Sequence, residues 1–153
     1  MPLASLVLAT LAALLHVFFW VLESLRWRRP DVWKRFGAKS QEEADVIAPM
    51  AYNQGFYNLF LAIGTLVGVV VSVVARGDSG WTMYAPEADP PSTWDQLSHA
   101  LQSQPTGTAL IAFGLLCMLG AALVLVLSNR KMARAAVIQG GFPALALIIA
   151  LVA

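Results

Sequence analysis

A carboxylate at Glu23, an imidazole at His16 and the amides and phenols of AYNQGFYN at 51–58 stand inside runs of sequence that are otherwise nearly all hydrocarbon. Ionisable and amide side chains are expensive at membrane depth and are kept where they bind a ligand, relay a proton or lock helices together. His16, Trp20 and Glu23 recur at i, i+4 and i+7, a spacing that places them on one face of a helix. At 1.5 Å per residue, His16 lies about 10 Å from Glu23 along the axis. Asn53, Gln54, Tyr57 and Asn58 crowd two helical turns, and Gln139 opens the late stretch QGGFPA. A carboxylic acid among amides and phenols suits general acid–base chemistry on a lipophilic molecule, or its binding by hydrogen bonds. Glu23 and His16 are the candidate catalytic groups. Trp20, Asn53, Gln54, Tyr57, Asn58 and Gln139 are the candidate ligand-binding groups.

The elements that must position these residues follow from composition. Of the 153 residues, 58% are hydrophobic and 12% charged, and the mean hydropathy is +0.67, which is the composition of a membrane protein. Four windows, 3–25, 50–75, 106–128 and 135–153, are long enough to cross a hydrocarbon core of about 30 Å. The expected fold is therefore all-α: one polytopic domain over 1–153, four transmembrane helices in a bundle. The first window lacks the basic start of a secretory signal and its apolar run is too long for one, so it is expected to remain as a span. Cys117 lies inside the third window and, as the sole cysteine, is expected only to pack.

Short loops rich in Lys and Arg stay in the cytoplasm. The link after span one carries Arg26, Arg28, Arg29, Lys34, Arg35 and Lys39, and the link after span three carries Arg130, Lys131 and Arg134, nine of the ten basic residues. The loop 76–105 carries only Arg76. Both termini and that loop are therefore expected outside a bacterial inner membrane. The net charge of +1 argues against nucleic acid as a partner; the lipid bilayer is the expected one.

Within the first link, Trp27, Trp33 and Phe36 alternate with basic residues, as in a short interfacial helix lying against headgroups. Ser40 and Glu43 have capping-box spacing, so a helix is expected to start there. Pro49 predicts a kink or a fresh start. In the outer loop, Ser92 or Thr93 is placed to cap a short helix with the stripe Trp94, Leu97 and Leu101. The RGD triplet at 76–78 reads as a span boundary rather than a receptor motif. Gly64, Gly68 and Ser72 in span two, Gly114, Gly120 and Ala121 in span three, and Ala146 and Ala150 in span four mark faces where helices approach closely. Such faces suit packing within one chain or a homo-oligomer.

Topology brings Glu23, Asn53, Gln54, Tyr57, Asn58 and Gln139 to a similar depth on the cytoplasmic side, and a polar pocket is the economical reading. Pro143 leaves the carbonyl of Gln139 without its helical partner, and Gly140 and Gly141 permit close approach. Each residue also has a plainer reading. Glu23 is placed to pair with Arg26, His16 to bond a neighbouring helix, and the amides to act as interhelical glue worth about 1 kcal/mol each. QGFYNLFLAIGTLV at 54–67 and QGGFPALALIIALV at 139–152 hint at two related helix hairpins.

HVFFWVLE, NQGFYNLFLA and the late QGGFPAL together resemble the family of small four-helix bacterial membrane proteins labelled domain of unknown function 1304. The resemblance covers most of the chain, and NQGxYN is its most specific part. It makes His16, Glu23, Asn53, Gln54, Gly55, Tyr57, Asn58, Gln139 and Pro143 family-pattern positions and supports the architecture, but it implies no activity. The roughly thirty residues between spans two and three depart from the short link of that family.

Three functions are compatible with these residues. One is an enzyme acting on a lipophilic molecule by isomerisation or cyclisation, with Glu23 as acid or base. The others are a small proton-coupled transporter working as an oligomer, and a structural or accessory subunit. No metal cluster is spelled out, and a bis-His haem within one chain is disfavoured because His99 lies in the outer loop. A haem held by His16 alone stays open, so the cofactor is unknown.

Overall fold

In a computed structural model of the chain, residues 1–77 and 104–152 are described, and among them all regular structure is helical. The proposed cap at Ser92 or Thr93, the stripe Trp94, Leu97 and Leu101, and His99 lie outside the described residues. The elements are α1 (Leu3–Trp20), a π turn (Val21–Leu25), α2 (Pro30–Trp33) with a 3-10 turn (Lys34–Phe36), α3 (Gln41–Gly77), α4 (Gln104–Ser128), a 3-10 turn (Arg130–Met132) and α5 (Ala133–Val152).

The four long helices form a ring in which α1 packs on α3 and α5, and α4 packs on the same two, while α1 and α4 barely meet across the diagonal. Four segments, Leu3–Leu25, Gln41–Arg76, Pro105–Ser128 and Arg130–Val152, are long and apolar enough to cross a membrane. Between 22% and 33% of each apolar window is buried in the protein, so most of this apolar surface is left for lipid to cover. The two basic links lie at one end of the bundle, called the basic end below.

Local signals explain the helix limits. Ser40 Oγ accepts from Glu43 N at 3.2 Å, and Glu43 Oε2 accepts from Lys39 N at 2.8 Å, so the capping box forms with the carboxylate reaching one residue beyond its usual target. The expected fresh start at Pro49 does not occur: α3 runs unbroken through it. At 37 residues, α3 is about 55 Å long and exceeds the hydrocarbon thickness. Pro49 is exposed on the overhanging part, where water can satisfy the carbonyl that proline leaves without a donor. Asn129 Oδ1 accepts from Lys131 N at 3.1 Å and closes the tight turn between α4 and α5.

The buried core of Leu6, Ala9, Ala12, Ile111, Leu115, Met118 and Ala146 sits in the half of the bundle away from the basic end. Ser5 Oγ donates to the carbonyl of Ala146 at 2.8 Å there, fastening α1 to α5. On the α3–α4 seam, a Cβ added at Gly68 would stand 2.9 Å from the Gly107 carbonyl, and one at Gly107 would stand 2.8 Å from the Gly68 carbonyl. The two backbones touch here because neither residue has a side chain. The expected face of Gly64, Gly68 and Ser72 is only partly the one used. Gly64 has nothing within 4 Å of its Cβ position, and Thr65 meets Gly114 instead. A strict four-residue step drifts by about 40° per repeat around a helix, whereas the steps of three and four from Thr65 to Gly68 to Ser72 hold one stripe.

The first link carries the expected short helix, α2. Trp27 and Trp33 are buried with Ala38, Ala44 and Ala51, and Trp27 Nε1 donates to the Ala44 carbonyl at 2.9 Å. Phe36 packs on Trp27 with ring centroids 5.5 Å apart. These rings therefore dock the link onto the start of α3. The charged residues stay outside: Arg29 donates to Asp31 at 3.0 Å, which holds the Asp31 carboxyl below its ordinary range.

Candidate functional site

At the basic end α1 does not continue as an α-helix to Leu25. Residues Val21–Leu25 form a π turn, and Arg26 N donates to the Val21 carbonyl at 2.9 Å, the i to i−5 bond that defines it. A π turn advances each residue through a smaller angle than an α turn. Glu23 lies inside this turn, and Trp20 at its start packs on Phe56 of α3. The Glu23 carboxylate meets α3, where Asn58 Nδ2 donates to Glu23 Oε2 at 2.7 Å, both residues being buried. Arg26 does not pair with it; among the described residues the one ion pair is Arg29–Asp31.

Gly55 permits this contact. A Cβ there would overlap Ser24 Oγ and stand 3.2 Å from Glu23 Cβ and from Ser24 N, so the helix backbone lies against the π turn. Ser24 Oγ donates across the same junction to the Tyr52 carbonyl at 3.0 Å.

The Glu23–Asn58 pair forms part of the wall of a cleft of about 870 Å³. Leu15, Phe18, Phe19 and Leu22 of α1 line it opposite Ala121, Val124 and Leu125 of α4. Gln54 of α3 and Ala135, Ile138 and Gln139 of α5 complete the wall. Arg35, Phe36, Lys131 and Arg134 reach it from the links and the start of α5. Phe18, Val124 and Ile138 are about half exposed although they line it, at 49%, 63% and 50%. The cleft is therefore open to the surface of the bundle rather than an enclosed cavity.

Of the residues singled out in the sequence, Glu23, Gln54, Asn58 and Gln139 meet in this cleft. Asn53 and Tyr57, four residues apart, share an outward face of α3 and are exposed, because the stripe Ala51, Gly55, Asn58 and Ala62 is the one that turns inward. His16 is fully buried on the packing stripe of α1, away from the cleft; its Nδ1 donates to the Ala12 carbonyl at 2.9 Å, and its Nε2 has no partner. Trp20 packs edge-on against Phe56 with centroids 6.2 Å apart. Pro143 is buried inside an unbroken α5. The cleft also uses residues read in the sequence only as topology signals or not at all: Arg35, Phe36, Lys131, Arg134, Phe18 and Phe19. The run Leu15, Phe18, Phe19 and Leu22 has i, i+3, i+4, i+7 spacing, a signal masked because every face of α1 is apolar.

Among the described residues, no group of three His, Cys, Asp or Glu side chains could hold a metal ion.

The family model for the protein of unknown function DUF1304 matches residues 10–85 and 96–151. The chain belongs to the DUF1304 family. The match takes in the residues of every helix that line the cleft, and between its two segments it leaves out only residues 86–95, fewer than the roughly thirty expected to depart from the family. No curated protein and no solved structure matches this DUF1304 chain.

Proposed function

We propose that this DUF1304 protein is a multi-pass bacterial inner-membrane protein that binds a lipophilic small molecule in the cleft at its basic, cytoplasmic end. The observation that carries the reading is a largely apolar cleft of about 870 Å³ whose wall holds a buried carboxylate fixed by an amide. Ligand pockets are of roughly this size, 300–1,000 Å³, and combine apolar walls with a few placed polar groups. Glu23 Oε2 is occupied by Asn58, which fixes the carboxylate and leaves Oε1 for a ligand hydrogen bond. A carboxyl held in this way is also suited to pass a proton to or from a bound molecule, as an isomerase or cyclase requires.

The test is native mass spectrometry of protein purified from its own membrane in mild detergent, as wild type and as Glu23→Gln. Glutamine keeps the shape and accepts the Asn58 bond, so the fold is retained. The reading predicts a co-purified lipophile whose occupancy falls in the variant while helicity and thermal midpoint hold. Equal occupancy in both would remove Glu23 from the site.

A further inference from the structure

The cleft is chemically polarised along the bundle axis. Arg35, Lys131 and Arg134 reach its mouth from three separate pieces of chain, the first link, the tight turn and the first turn of α5. All three are exposed, and none has a carboxylate within ion-pair distance among the described residues. Arg35 is steadied by Nε donating to the Asp31 carbonyl at 3.1 Å, which leaves the outer nitrogens of its guanidinium available. Deeper in, the wall carries Glu23 with Asn58, Gln54 and Gln139, and Phe18, Phe19, Val124 and Ile138 supply apolar surface, much of it exposed.

Three cations at the rim of an apolar slot, in a protein whose outer surface is itself apolar enough for a bilayer, fit one kind of molecule. Resting on the cleft as a lipophile site, we infer that its occupant is an amphiphile from the bilayer with an anionic head, a phosphate or carboxylate. The head sits among Arg35, Lys131 and Arg134, the chain lies along Phe18, Phe19 and Ile138, and a hydroxyl or other donor on the chain reaches Glu23. Arginine holds such heads through two parallel hydrogen bonds and lysine through its point charge. The acidic wall sets the orientation, since an anionic head turned inward would face the Glu23 carboxylate.

A matched pair of probes tests this on the full chain in a nonionic detergent: an alkyl phosphate, and the alcohol of the same chain length. Binding of each is measured by native mass spectrometry or by competition with a fluorescent alkyl phosphate. The expected result is that the phosphate binds roughly tenfold or more tightly than the alcohol, that added salt narrows the gap, and that the Arg35→Gln, Lys131→Gln and Arg134→Gln triple variant abolishes it while alcohol binding is unchanged. The same three charges bias insertion, so retained alcohol binding serves as the folding control. The triple variant Arg35→Lys, Lys131→Arg, Arg134→Lys, which keeps every charge, is expected to keep most of the preference.

Equal binding of both probes to wild type would overturn the anionic head and leave the lipophile cleft standing. Binding of neither would overturn both readings. Displacement of the alkyl phosphate by inorganic phosphate at equal concentration would show that the ion alone is recognised and would overturn the bilayer source.

Discussion

Glu23 is placed by three neighbours that each act through a different force. The π turn aims it, Asn58 bonds it at 2.7 Å, and Gly55 gives it room. Gly55→Ala is therefore expected to cost about 1–3 kcal/mol by overpacking against Ser24 and Glu23 and to weaken ligand binding, read by thermal unfolding and by ligand occupancy in detergent. Asn58→Ala removes the one side-chain hydrogen bond that Glu23 makes among the described residues, and leaving a buried polar group without its partner is expected to cost about 1–3 kcal/mol. The polar residues themselves were legible: Glu23, Gln54, Asn58 and Gln139 stand out because such groups are costly in hydrocarbon. Their aim was not. Asn53 and Tyr57 look equivalent to Gln54 and Asn58 until the inward stripe of α3 is known. The π turn that carries Glu23 is announced by no residue in VLESL.

At the scale of elements, the link between α1 and α3 makes contacts that the sequence does not spell out. Alternating aromatic and basic residues have the composition of a headgroup anchor, yet Trp27 and Trp33 are 7% and 4% exposed and hold the link against the start of α3. The composition cannot distinguish a lipid surface from a protein surface, because both offer an apolar face beside a polar one. The docked link brings Arg35 and Phe36 to the cleft, so Trp27→Ala is expected to lower ligand binding although Trp27 itself does not line the cleft and reaches it only through Phe36. Loss of a buried tryptophan side chain costs about 3–5 kcal/mol. Faster hydrogen exchange over residues 26–40, with α4 and α5 unchanged, is the measurement that checks it. The α3–α4 seam gives a paired contrast: Gly68→Leu forces the backbones apart and should lower the thermal midpoint sharply, whereas Gly64→Leu, with open space beside it, should leave a monomer's midpoint nearly unchanged.

For the whole molecule, four helices around a core made largely of small residues leave an apolar coat outside and a cleft where the ring is least filled. The number of spans and the all-α class were readable because twenty-residue apolar runs admit few other structures. The order of helices around the ring and the cleft between them were not, since α1 is apolar on every side. With nine of ten basic residues at one end, a cysteine placed at Lys39 in a Cys117→Ser background should resist a membrane-impermeant maleimide in intact cells, and one placed at Glu87 should react. The claim on which the account rests is that the cleft, rather than the lipid-facing coat, holds the ligand. Photo-crosslinking with a diazirine on an alkyl phosphate chain, followed by peptide mapping, tests it most directly. The account predicts labels concentrated on Phe18, Phe19, Val124 and Ile138 and competed away by unlabelled alkyl phosphate. Labels spread over outward residues such as Phe60, Val70 and Phe113, with no competition, would contradict it.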